Sequence, residues 1–424
     1  MYCGSCLHDN QLAAAMIRQS VDTCLIPMYT PIRTDTTDVS LDQVFFGGIN
    51  VYLQQKSRLA GMLPGFVKRW LDHPDFLRWV TSRAMSTDAS QLGDLTLSML
   101  RGQDGRQHQE VAKLCDWLVQ SLNPSIIVFS NVLISGCIPA IRQRLDVPIL
   151  VTLQGDDVFL SGLPDEDRAA AITQIQKNAE SVDGFVTHSE YYRDHMAEYL
   201  GLPLEKFRIV PLGVAVEDFR RERIALNKPA NSAATVGYLA KLVPEKGLHL
   251  IIDAVAKLRE IPDLANTRLA VAGWSGGDQA EYARKEIERA TKLLGPKGFT
   301  CHGEVTREQK IEFLHDVDVL SVPSPYKDPK GLYAMEAMAS GTPVVLPDHG
   351  AFPELIQRTG GGKLFAADNI ESLVEALADL IRNNQLRTDL GLAGQASISE
   401  KHSADVAAHA TWEIYKQFLG ERAP

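Results

Sequence analysis

The sequence predicts an α/β protein made of two doubly wound parallel sheets, and three observations predict it. From Pro124 onward, short apolar runs alternate with helical patterns: PSIIVFSN, VPILVTLQG, GFVTHS and FRIVPLGV, then AATVGYLA, RLAVAG, FTCHGEV, VDVLSVPS, TPVVLP and GGKLFAA. Such runs, nearly all apolar and separated by helices, are what strands buried on both faces look like in sequence. The polar stretch VEDFRRERIALNKPANSA, from Val216 to Ala233, breaks the rhythm after the fourth run and reads as a linker. Two Rossmann-like domains follow, residues 1–213 and 214–403, expected to face each other across a cleft, with a closing helix in 404–424.

Composition agrees. A chain of 424 residues, 45% hydrophobic, has ample material for two cores. A net charge of −10 argues against nucleic acid as a partner and against docking on an anionic membrane through a basic face, and leaves other peripheral membrane contact open. No apolar run approaches the ~18 residues of a spanning helix, and the amino end lacks a basic-then-apolar signal, so a cytoplasmic protein is expected. The six cysteines are too sparse for a disulfide scaffold and read as reduced, mostly buried residues.

Several short motifs resemble sites without having the context of one. Cys3 and Cys6 have the spacing of a redox pair, and with His8 they suggest part of a metal site, but no preceding strand and no fourth ligand accompany them. Asp316 and Asp318 flank Val317 where a strand begins, and Gly360 to Leu364 lacks the hydroxyl residue of a phosphate loop. No metal and no resident cofactor are expected.

The amino end and the region after Asn50 depart from the pattern. MYCGSCLHDNQLAAAMIRQS reads as a loop entering an Ala-rich helix, and VDTCLIPMY reads as the next strand, so the strand expected before the loop has no counterpart. Near residues 56–115 the alternation stops. Lys56 to Met85 instead carries Phe66, Trp70, Phe76 and Trp79 at helical spacing, which reads as a helical insertion in the first domain, either extra core or an acceptor-binding lobe.

The most informative segment is PSPYKDPKGLYAMEAMASGTPVVLP, Pro323 to Pro347. A helix that opens directly behind the Gly331-bearing loop presents unpaired N–H groups, those of Gly331, Leu332 and Tyr333, and a positive dipole end, so an anion site is expected there. Asp328 precedes that terminus and Glu336 sits inside the helix. Two carboxylates bracketing a phosphate site suit the hydroxyls of a nucleotide sugar.

These residues resemble the signature of the family 4 (group 1) retaining glycosyltransferases of the GT-B fold. Its pattern is Glu, seven residues, Glu, then Ala-Met-Ala, a small residue, Gly, a small residue and Pro. Here Glu336 is the second acid and AMASGTPVV runs from Ala337 to Val345, whereas Asp328 replaces the first acid with an arm one methylene shorter. The resemblance implies that Asp328 and the amides behind it touch the sugar and that Glu336 holds the ribose. It extends to VGYLAKLVPEKGLHLIIDA, where Lys241 and Lys246 stand at the family's phosphate-binding cations. Cations fixed there stabilise the departing diphosphate without a metal.

Further positions are implied in the same way. Gln154 stands near the family's sugar-contacting His, followed by Asp156. Glu304 and Val305 end the strand whose backbone reads the base. Gly4 belongs to the loop that the family's central first strand feeds, so the resemblance implies that this sequence begins one strand late. It also implies that the closing helix packs back on the first domain. The expected partners are a nucleotide diphosphate sugar as co-substrate and an unidentified acceptor, with transfer of a hexose. An epimerase or phosphorylase on the same fold, or a non-catalytic nucleotide-sugar-binding protein, are the alternatives.

Overall fold

A computed structural model describes residues 4–46 apart from 30 and 33, together with 92–219 and 233–420. The expected insertion therefore lies mostly outside the described residues, Phe66, Trp70, Phe76 and Trp79 among them. So do Cys3 and most of the linker. The described residues form two compact units. One is Leu212–Ala407; the other joins the residues up to Pro211 with those from Ala408 onward.

The unit ending at Pro211 contains a four-stranded parallel sheet, ordered β1 (Ile127–Phe129), β2 (Ile149–Thr152), β3 (Gly184–Thr187) and β4 (Phe207–Ile209). All four runs read as strands in the sequence are present. Each strand is joined to the next by helix, as parallel pairing requires. β2 and β3 are buried along their whole length. Ser189 caps the helix Glu190–Leu200 by accepting from the Tyr192 N–H, and Gly201 ends it in a left-handed conformation. VDTCLIPMY differs from expectation: only an isolated bridge from Leu25 to Ser40 forms there. Among the described residues no ladder forms along it, and a strand is defined by its ladder.

The unit Leu212–Ala407 contains six parallel strands: β5 (Thr235–Leu239), β6 (Arg268–Ala272), β7 (Phe299–Gly303), β8 (Val319–Ser321), β9 (Val344–Pro347) and β10 (Gly362–Phe365). Their order in the sheet is β10-β9-β8-β5-β6-β7. Successive residues feed opposite faces. Val236, Val319 and Val345 join the cluster containing Ile251, Ile252 and Val255, whereas Leu320, Val344 and Leu346 join the one containing Leu314, Met335 and Phe352. Asp318 links the two central strands, its Oδ2 accepting from the Thr235 N–H at 2.8 Å. That bond gives the Asp-Val-Asp motif a structural role. No helix among the described residues is long and apolar enough to cross a membrane.

The strand order reverses between β5 and β8, and at such a switch point the loops leaving the carboxyl ends of both strands diverge and leave a crevice. The loops that open there are Ala240–Gly247 and Val322–Gly331. Gly247 sets the first of them. Its φ is +70°, and a Cβ there would lie 2.0 Å from the Pro323 carbonyl oxygen of the second loop. Gly247→Ala is therefore expected to destabilise this unit by about 2 kcal/mol or more, which calorimetric unfolding would measure. An unchanged midpoint would mean that the two loops do not meet there.

Candidate functional site

At the switch point, Asp328 is the shared partner of both loops. It is 5% exposed, and its Oδ2 accepts from Lys246 Nζ at 2.5 Å. Its Oδ1 accepts from the N–H groups of Lys330 and Gly331, both at 2.9 Å, and its backbone oxygen accepts from the Ala351 N–H. Burial opposes ionisation, but the Lys246 ammonium and the two amides outweigh it and hold the carboxyl below its usual range. The shorter arm of Asp suits this arrangement, because both loop amides lie only two and three residues ahead of it.

Lys246 ends a 3-10 turn, Pro244–Lys246, and its ammonium also lies 5.7 Å and 5.6 Å from the ring centroids of Tyr326 and Tyr333. Lys241 is exposed at the mouth of the same loop. Gly331, at φ +67°, begins the helix Leu332–Ala339, whose first-turn N–H groups at Leu332 and Tyr333 have no carbonyl within the helix to bond. Phosphate oxygens are the natural acceptors for such a terminus. The Tyr333 hydroxyl is buried with no hydrogen-bond partner among the described residues, and burial pushes its pKa well up.

Glu336, one turn further along, accepts from Lys310 Nζ at 2.6 Å, with both side chains below a tenth exposed. Lys310 escaped the sequence reading, although one signal was available. On the helix Arg307–Asp316 it shares a buried stripe with Arg307, Ile311 and Leu314, where a lysine is unusual without a partner. Arg307 bonds Asp218 Oδ2 and the Ala215 carbonyl and lies over Phe219, while Lys310 lies 5.9 Å from the same ring. Glu336 is thus linked through Lys310 and the shared Phe219 ring to the segment that leads into the linker. Glu304 is exposed and Val305 half-buried just beyond the carboxyl end of β7.

The first unit carries a second cluster at the carboxyl end of its own sheet. Gln154 Nε2 donates to Asp9 Oδ1 at 2.8 Å and to the Ser130 carbonyl at 3.2 Å, so both amide hydrogens already have acceptors. Asp156 accepts from the N–H groups of Gln154 and Val132 and bonds two loops rather than capping its own helix. Burial raises its pKa to about 6 against those two bonds. Asp157 accepts from the Tyr192 hydroxyl, which also receives the Gly155 N–H. Gly4 opens the helix Gly4–Arg18, with Ser5 Oγ donating to the Gln154 carbonyl at 3.5 Å. Cys6 is in no disulfide, and the His8 ring packs edge-on against His188. No group of three or more His, Cys, Asp or Glu side chains suited to a metal gathers among the described residues.

Comparison with known proteins identifies the family and the fold. The family model described as glycosyl transferases group 1 matches residues 219–397, and the one described as glycosyltransferase family 4 matches 99–218. Glycogen synthase of Mycobacterium tuberculosis is 26% identical, over 76% of this chain and 72% of the relative. D-inositol 3-phosphate glycosyltransferase of Nocardia farcinica is 24% identical, over 89% and 87%. Among solved structures, sucrose-phosphate synthase of Thermosynechococcus elongatus superposes with a TM-score of 0.62 at 20% identity, covering 74% of this chain and 79% of that one. HepE of Anabaena, solved in complex with UDP, gives 0.62 at 16% identity, covering 81% and 90%.

The Lys310–Glu336 pair leads to a stability prediction. Lys310→Met leaves a buried carboxylate without its cation and is expected to cost about 3 kcal/mol, whereas Lys310→Met combined with Glu336→Leu should recover most of that loss. Chemical denaturation of the two variants measures both. Equal stability of Lys310→Met and the parent would mean that the pair is not buried as described.

Proposed function

This chain belongs to the family 4, group 1 glycosyltransferases, transferases of the GT-B fold that draw on a nucleotide sugar. From that premise we propose that it moves a hexose from a nucleoside diphosphate sugar to an acceptor hydroxyl, with retention at the anomeric carbon and without a metal. One observation carries the reading: the switch point of the second sheet gathers two lysines, a helix amino terminus and two buried carboxylates from three separate stretches of chain. Phosphate, sugar and ribose each have a matching group there.

The roles follow from charge. The diphosphate lies against the N–H groups of Leu332 and Tyr333, with the ammonium groups of Lys241 and Lys246 opposite, while the Gly331 N–H, expected to join them, is taken by Asp328 Oδ1. As the bond between the anomeric carbon and the phosphate oxygen breaks, negative charge grows on the β-phosphate, and these fixed donors stabilise it more than they stabilise the intact donor. The acceptor oxygen bonds to the anomeric carbon on the face the phosphate leaves, and its proton passes to the departing phosphate oxygen. Lys246 reaches the phosphate from its bond with Asp328, so Asp328 keeps that cation in place and the loop amides aligned. Glu336 accepts from the ribose hydroxyls while Lys310 holds it. Glu304 and Val305 are proposed contacts for the base, by backbone.

The HepE structure with UDP-glucose makes UDP-glucose the first donor to test. At a hundred times its dissociation constant a true donor is expected to add about 2.7 kcal/mol to stability, seen as a thermal shift. Replacing either Lys241 or Lys246 with Ala should lower turnover by about a hundredfold or more, about 2.7 kcal/mol, with the fold intact. Near-normal turnover in both variants would end this assignment. Glu336→Gln should weaken donor binding while leaving the preference among sugars unchanged, and a changed preference would mean that the two acids have exchanged roles.

A further inference from the structure

A buried phenol stands unused beside the Lys246–Asp328 pair. The Tyr333 hydroxyl is shut off from solvent and has no hydrogen-bond partner among the described residues. Such a group weakens the folded chain unless another state of the protein uses it. The Tyr238 hydroxyl, by contrast, donates to the Lys241 carbonyl at 3.1 Å. Position narrows what the Tyr333 hydroxyl can serve. Tyr333 follows Gly331 by two residues, and the Gly331 N–H is one of the two amides on Asp328 Oδ1. Lys246 Nζ meets both groups, 2.5 Å from Asp328 Oδ2 and 5.6 Å from the centroid of the Tyr333 ring. Burial raises the Tyr333 pKa most, and the Asp328 charge does so next, ahead of Tyr238. The ring itself is held, edge-on to Phe352 at 6.3 Å and packed against the apolar clusters on both faces of the six-stranded sheet. Only the O–H turns freely.

A binding diphosphate creates the need for a second donor to Asp328. Its Oδ1 has two amides, whereas Oδ2 has Lys246 alone among the described residues. The residue is only 5% exposed, so water is not at hand to replace the ammonium. A phosphate that draws Lys246 away therefore leaves Oδ2 a buried acceptor without a donor, which opposes the move.

On the donor reading given above, we propose that Tyr333 is a positioning residue whose hydroxyl takes over Asp328 Oδ2 when Lys246 turns to the phosphate. In the free chain the ammonium bonds the carboxylate and the phenol is idle. In the bound chain the ammonium bonds a phosphate oxygen and the phenol donates to the carboxylate. No proton is transferred, because burial and the Asp328 charge keep the phenol protonated. Asp328 stays ionised and keeps its two loop amides aligned in both states.

Tyr333→Phe tests this, since it removes the hydroxyl and keeps the ring and the backbone N–H. In the free chain it is expected to leave the thermal midpoint unchanged or higher, because it deletes an unpartnered buried group. Titration calorimetry with UDP, GDP or ADP, whichever the parent binds most tightly, should nonetheless show binding weakened about tenfold, the size of a lost hydrogen bond to a buried charge. In Lys246→Met the carboxylate lacks its cation before any ligand arrives, so the hydroxyl is already in use, and adding Tyr333→Phe there is expected to lower the midpoint by roughly 3 °C or more. A merely structural tyrosine gives the same change in both backgrounds. Equal nucleotide affinity of the parent and Tyr333→Phe would overturn the proposal, and so would a substitution that lowers the midpoint of the parent as much as that of Lys246→Met. A parent that binds none of the three nucleotides would instead count against the donor site itself, while the comparison of backgrounds still decides the role of the hydroxyl.

Discussion

The geometry of the switch point between β5 and β8 depends on one buried carboxylate. Asp328 is the only group, among those described, that bonds the β5 loop through Lys246, its own loop through Lys330 and Gly331, and the turn before the next helix through Ala351. Without it the first-turn amides of the helix Leu332–Ala339 have no fixed direction. The arrangement stays affordable in free energy because each carboxylate oxygen has a donor, which keeps the buried charge satisfied.

A second buried pair continues the same logic deeper in the unit. Glu336 stays available as an acceptor because Lys310 satisfies one oxygen and neutralises its charge, and Lys310 in turn shares the Phe219 ring with Arg307. A ligand that bonds Glu336 therefore acts on a network reaching Asp218 and Ala215. In the proposed function both acids combine a binding task with a structural one, so substitutions at either position are expected to change stability and affinity together, and double variants separate the two.

Much of this was legible in the sequence, for physical reasons. Parallel strands covered on both faces are apolar at nearly every position, so TPVVLP and VGYLA are conspicuous, and a helix placed straight after a glycine loop leaves first-turn N–H groups without helix carbonyls. The contacts that finish the site were not legible, because they join residues far apart in the chain. Lys246 meets Asp328 across 82 positions, and Gln154 meets Asp9 across 145. Asp318 looked like part of a metal motif until its bond to Thr235 showed it holding β5 to β8. VDTCLIPMY has the composition of a strand, but a strand is defined by its neighbours, and among the described residues it finds only the bridge from Leu25 to Ser40.

The central claim is that the switch point between β5 and β8 is where the nucleotide sugar's phosphates bind, and a crystal structure of the chain with UDP tests it most directly. The account predicts the β-phosphate within about 3.2 Å of the Leu332 and Tyr333 N–H groups, Lys246 turned toward it, and the ribose hydroxyls on Glu336. UDP bound elsewhere, or bound at this helix with its ribose away from Glu336, would contradict it.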